Sequence, residues 1–116
     1  MADSQTAEEI YALIRQAVLV KDIVALNYRG SVREMCPHVL GKTKGSPYAL
    51  MYQFAGETGS GLKPDGSPDN WRCIRIEEIS NVVVRKSEGE WHTASNYSGM
   101  QNCVSEIDVR VETKAA

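Results

Sequence analysis

Residues 23–40, IVALNYRGSVREMCPHVL, place two runs of apolar and β-branched side chains on either side of Arg29-Gly30. Short runs of this kind around a two-residue turn are the signature of an antiparallel hairpin. The reading predicts a strand over 23–28 and a return strand over 32–40. Pro37 has no N–H to give a ladder, so the return strand is expected to end there or to run along an edge.

Downstream the period of two continues. GKTKGSP at 41–47 reads as a polar turn. Tyr48, Leu50, Tyr52 and Phe54 then alternate with Ala49, Met51 and Gln53, the plainest strand signal in the chain. Residues 71–76 read as another strand, 77–80 as a short turn, and 81–86, with Val82, Val83 and Val84, as a strand that turns again at 87–90. A last strand is expected over 104–112, where Ile107, Val109 and Val111 alternate with Glu106, Asp108 and Arg110. Residues 55–70, AGETGSGLKPDGSPDN, hold four glycines and two prolines in sixteen positions. Such a stretch cannot form a regular element and is expected to be the most mobile internal segment.

Upstream lies a helix, expected over 5–21. Thr6 and Glu9 form a capping box, and Glu8 and Glu9 suit the positive end of the helix dipole. Ile10, Leu13, Ile14, Ala17 and Val18 then make one apolar stripe. That stripe needs a surface to cover it, either the rest of the domain or a second subunit, so a homo-oligomer joined through this helix is one expectation.

The chain has 116 residues, 42% hydrophobic and 24% charged, which suits a single packed domain. One helix followed by five or six short strands predicts a mainly β, α+β fold. It would be a small SH3- or Sm-like β-barrel, or a strongly bent antiparallel sheet, with the helix packed on it. The core is expected over 23–86, with Leu26, Leu50, Ile74, Ile76, Ile79 and Val83 buried, and 87–116 form a C-terminal extension. No apolar run approaches the ~20 residues needed to span a bilayer. The first ten residues are acidic and polar, so the expected setting is cytoplasmic, without a membrane.

Three cysteines, Cys36, Cys73 and Cys103, are too few and too odd in number for a disulfide framework. They are expected as buried thiols. With His38 and His92 they show no metal-ligand spacing, and no metal or cofactor is expected. Cys36 and His38 stand two apart but flank a proline, and Glu77 and Glu78 face opposite ways on an extended chain. No nucleophile elbow, phosphate loop or dinucleotide fingerprint occurs. The chain is therefore read as non-enzymatic.

Charge is unevenly placed. The net charge is −2, yet residues 28–86 hold nine Lys/Arg against six Asp/Glu, while the flanks hold four against nine. Arg29, Arg33, Arg72 and Arg75 share the middle with Tyr28, Tyr48, Tyr52 and Trp71. Guanidinium forks suit phosphate or carboxylate, and aromatic rings suit bases. Aromatic residues in the core and arginines at the surface would equally account for the pattern.

The runs LNYRGSVREMCPHVL, SPYALMYQF and WRCIRIEEISNVVV resemble the WYL domain family over about residues 23–86. Tyr28, Arg33, Pro37 and Leu40 match its first part. Tyr48-Ala49-Leu50 stands at its Trp-Tyr-Leu, and residues 72–79 follow its arginine-led segment, with Glu78 where that segment has a later arginine. The resemblance implies an SH3-type barrel that senses nucleotide or nucleic-acid ligands, with Tyr28, Arg33, Arg72 and Arg75 as ligand contacts. Family members usually carry a helix-turn-helix, and here a single helix precedes the barrel. The functional expectation is a binding or sensing module for an anionic ligand, a nucleotide or single-stranded nucleic acid. The alternative is a structural module that oligomerises or docks a protein partner.

Overall fold

The computed structural model describes residues 5–56, 61–94, 97 and 101–111. Helix α1 (Ala7–Val20) opens on the expected capping box: Glu9 N–H donates to Thr6 Oγ1 at 3.0 Å and Thr6 N–H to Glu9 Oε1 at 2.8 Å. Ile10, Ile14, Ala17 and Val18 are buried against the chain's own sheet, while Leu13 sits at the margin of the stripe and stays partly exposed. The stripe is covered within the molecule.

Six strands follow: β1 (Ile23–Tyr28), β2 (Ser31–Thr43), β3 (Ser46–Gly56), β4 (Trp71–Arg75), β5 (Ile79–Arg85) and β6 (Glu106–Arg110). All ladders are antiparallel, in the order β4-β3-β2-β1-β5, with β6 on β2. β4 and β5 are outer strands that do not pair with each other, so the sheet is open and not a closed barrel.

Two hairpin turns carry left-handed pairs, Arg29-Gly30 (φ 51° and 81°) and Lys44-Gly45 (φ 52° and 83°). These angles suit the tight turns whose twist matches the strands. The second pair shrinks the expected turn at 41–47 to two residues, and the flanking positions join β2 and β3.

Pro37 does not end its strand, and β2 is central rather than an edge. Its first half pairs β1 as far as Val24↔Met35, and its second half pairs β6 from Val39↔Arg110. Pro37 falls at that changeover, beside a bulge in the β3 ladder between Pro37 and Val39. Its missing N–H therefore lies where the ladders are already interrupted.

The main core lies between α1 and the sheet and includes Val24, Leu26, Met35, Leu40, Met51, Ile74, Ile76 and Ile79. Two expected members are corrected. Leu50 is only half-buried, on the opposite face from Met51. Val83 is 63% exposed, and Val82 is buried in its place. Asn81 takes a left-handed φ of 54°, and the β1–β5 ladder slips between Ala25 and Asn27. One extra residue on a pleat of period two moves every later side chain to the other face. In β6, Ile107 is likewise exposed while Val109 is buried.

Residues 61–70 and 87–94 cover the other face of the sheet. His38 is fully buried there, with its ring 4.8 to 5.0 Å from those of Trp71, Trp91 and Tyr97. Of the segment expected to be mobile, residues 57–60 lie outside the described residues, and 61–70 are tied down. The buried Asn70 side chain accepts from Lys63 N–H and donates to Lys63 O, both at 2.9 Å. Tyr52 OH accepts from Gly66 N–H and donates to Ser67 O. Buried polar groups demanded these partners, and the loop supplied them. Cys36 is a free buried thiol as expected, but Cys73 and Cys103 form a disulfide, with Cα atoms 5.6 Å apart. Thirty residues separate them in sequence, so only folding brings them together.

Candidate functional site

At one end of the α1-facing side of the sheet the apolar core gives way to polar side chains. Tyr28 closes β1, and Arg33 lies opposite Leu26 on β2. Gln53 lies opposite Met35 on β3, and Arg72 opposite Met51 on β4. The alternation of the pleat puts Arg72 on the face of Ile74 and Arg33 on the face of Met35.

The Arg33 guanidinium sits 5.1 Å from the centre of the Tyr28 ring, and the Arg29 guanidinium is at the same distance from that ring. Both are within cation–π range. Arg29 is exposed and bound to Glu78, whose carboxyl it holds below the usual carboxylate range. Glu78, the acidic departure from the WYL-like pattern, thus neutralises a neighbouring arginine. Arg33 differs: it is 8% exposed, and among the described residues its Nε has no hydrogen-bond partner.

Arg72 donates from Nε to Gln53 Oε1 at 3.2 Å, and from Nη1 to the carbonyls of Asp69 and Trp71 at 2.7 and 3.1 Å. Burial lowers its pKa, and so does the charge of Arg33. Neither Arg33 nor Arg72 has a carboxylate partner among the described residues. Arg75 belongs elsewhere. It stands three residues from Arg72, faces the other side, and pairs with Glu77 at 2.9 Å. Of the four candidate contacts, the structure brings together Tyr28, Arg33 and Arg72 and separates Arg75.

Against known proteins the chain matches no family model, no curated protein and no solved structure.

Gln53 is the residue that sequence reading missed. It is fully buried and links the cluster, and its signal was a carboxamide placed at an inward position of an otherwise apolar strand. The Cys36–His38 pair has a different use. His38 Nδ1 lies 2.7 Å from the Cys36 carbonyl and so donates to it, and Nε2 accepts from the Thr93 hydroxyl at 2.9 Å. Burial pushes the Cys36 thiol up to about 12, so it is held protonated. A groove of about 730 Å³ lies apart from the arginine cluster, between the start of α1, the β2–β3 turn and β6. Tyr11, Lys42, Pro47, Glu106 and Ile107 are on its walls, and its charge is mixed. A buried guanidinium whose Nε has no hydrogen-bond partner among the described residues is the more telling feature, because an unsatisfied buried donor leaves a desolvation cost that an anionic acceptor would offset.

Proposed function

We propose that this chain is a non-catalytic binding module for an anionic ligand, held by Arg33 and Arg72 beside Tyr28. One observation carries the reading. Arg33 is buried over an aromatic ring with an unpartnered Nε, next to a second guanidinium that also has no carboxylate. A phosphate or carboxylate would satisfy both forks and remove their mutual repulsion. Arg72 is the partly exposed member, and the ligand enters past it. The ligand class is a nucleotide or single-stranded nucleic acid, with the Tyr28 ring already engaged by Arg33. The order of residues that resembles a WYL domain supports the same class, and on that resemblance the module is regulatory.

The test is fluorescence anisotropy with labelled nucleotides and short single strands at two salt concentrations. Each charge-assisted contact contributes roughly 1.5–3 kcal/mol, so an Arg33→Ala/Arg72→Ala variant should bind about two to four orders of magnitude more weakly. Affinity should fall with salt. Arg75→Ala, already paired with Glu77, should bind like the wild type. Equal affinity in all three proteins would refute the reading. A second reading, a module that self-associates, is favoured by the open edge of β5.

A further inference from the structure

Proteins read a base by stacking it on a ring, or by offering its edge a free carboxamide or guanidinium fork. At the end of the sheet that holds Arg33 and Arg72 the rings are already spent. Tyr28 is 6% exposed and has two guanidiniums 5.1 Å from its centre, so no face of it is open to a base. Tyr52 and Trp71 pack edge to face on the other side of the sheet, where Trp71 meets His38. Tyr48 lies opposite Arg75, and the pleat turns both to that other side as well. The carboxamide of the cluster is spent too. Gln53 Oε1 accepts from Arg72, and Gln53 Nε2 donates to Ala55 O at 3.2 Å.

Charge is what remains. Arg29 is bound to Glu78 and Arg75 to Glu77, whereas Arg33 and Arg72 pair with no carboxylate among the described residues. Arg72 commits Nε and Nη1 to Gln53, Asp69 and Trp71, and its Nη2 enters none of these bonds. Arg33 is nine-tenths buried, with Nε unpartnered among the described residues. A guanine edge would offer such forks neutral acceptors and leave both charges uncompensated. An internal phosphodiester brings one charge and is flanked by a sugar on each side, which keeps it from a recessed cation. A terminal phosphate brings three oxygens and roughly 1.5 to 2 negative charges at neutral pH, and it enters end-on.

We propose that Arg33 and Arg72 hold a terminal phosphate dianion, carried by a mononucleotide or by the end of a strand, and that the site is indifferent to the base. The inference rests on the anion-binding reading and narrows its ligand to a phosphate end. Gln53 is a positioning residue here. It aims Arg72 without adding charge, and a carboxylate in its place would stand in for the ligand.

The experiment is fluorescence anisotropy on the full chain, with a single strand labelled at one end and either phosphorylated or left as a hydroxyl at the other. Loss of the terminal phosphate should weaken binding by roughly ten- to a hundredfold, the worth of one charge-assisted contact. Guanine and uracil mononucleotides and base-free ribose phosphate should displace the strand alike. The cyclic diester of either nucleoside should do so about tenfold less well or worse. Inorganic phosphate separates the sources: equal to the mononucleotides, it makes the free ion the ligand, and weaker, it makes the sugar-linked end the ligand. The dianion chemistry holds in both cases. Gln53→Glu, checked for folding by circular dichroism, should lose the preference for monoester over cyclic diester, because it lowers the charge of the site by one. If that variant does not fold, the ligand series on the wild type decides. Glu57 follows the Gly56 that pairs with Arg33 and lies outside the described residues. Glu57→Gln should bind as the wild type does, and binding tighter by about tenfold would make Glu57 the counter-charge and overturn the proposal. Equal affinity with and without the terminal phosphate overturns it too, as do a cyclic diester that competes like the monoester, a marked preference between the two bases, or a folded Gln53→Glu that keeps the monoester preference. In those cases a loss of binding in Arg33→Ala/Arg72→Ala still upholds the anion-binding reading. Binding of none of these ligands, or no effect of that double variant, refutes both.

Discussion

His38 has both ring nitrogens occupied, Nδ1 on the Cys36 carbonyl and Nε2 on Thr93, in a box of three aromatic rings. Burial lowers its pKa from the usual 6.5 to about 4. In the unfolded chain the ring takes a proton near 6.5, and in the folded chain it resists until about 4. Between those values the unfolded state binds more protons, so stability falls as pH is lowered through the window and is fully present above it. The loss should reach about 3 kcal/mol below pH 4. Urea melts between pH 7.5 and 4.5 should show this slope, and His38→Gln should flatten it while weakening the fold at neutral pH. An unchanged slope in the variant would locate the acid sensitivity elsewhere. At this scale the sequence made Tyr28, Arg33 and the two strand arginines visible as a basic, aromatic set. It did not show that Arg75 would pair with Glu77, because the strand ends at Arg75 and the 3₁₀ turn Ile76–Glu78 decides where the Glu77 side chain points.

At the scale of elements, α1 and the Arg29-Gly30 turn were legible because capping, apolar period and turn residues are local properties, whereas the turn read over 41–47 tightened to Lys44-Gly45. The bulges were not legible. The slips at Pro37 and at Asn81 answer to partner strands, and they decide which valine of 82–84 is buried and how a proline fits a central strand. Gly41 is a third case. A Cβ built there would lie 2.0 Å from the carbonyl oxygen of Glu106 and 2.7 Å from Val104 Cγ1, so β6 can pair β2 only across a bare backbone. Gly41→Ala should therefore destabilise the protein by about 3 kcal/mol, the upper end of ordinary overpacking, because backbone rather than a flexible side chain must move. Chemical denaturation measures it. Wild-type stability in Gly41→Ala would contradict the close β2–β6 approach.

At the scale of the molecule, β4 is joined to the stretch before β6 by Cys73–Cys103, a cross-link that closes a loop of thirty residues. Loop-closure entropy makes such a bond worth about 3–4 kcal/mol. Cys73→Ser/Cys103→Ser should thus lower Tm on the order of 10 °C. An unchanged Tm would mean that the β2–β6 ladder alone holds this end. Thiol titration of the denatured, unreduced protein should find Cys36 alone. A disulfide suits an oxidising setting, so the cysteine count no longer supports a cytoplasmic one. The main core takes in Leu26, Ile74, Ile76 and Ile79 as the sequence marked them, but Met51 and Val82 in place of Leu50 and Val83, and the helix stripe found its cover within the same chain. What the sequence by itself determined was the set of elements, their antiparallel order of hairpins and the inward faces of most of them, since these follow from spacing and turn chemistry a few residues long. The tertiary structure alone decided the open sheet, the return of β6 to β2, the Cys73–Cys103 bond and the gathering of Arg33, Gln53 and Arg72. Each of these joins positions far apart in sequence, and such contacts form only after the entropy of closing the chain between them has been offset by burial elsewhere.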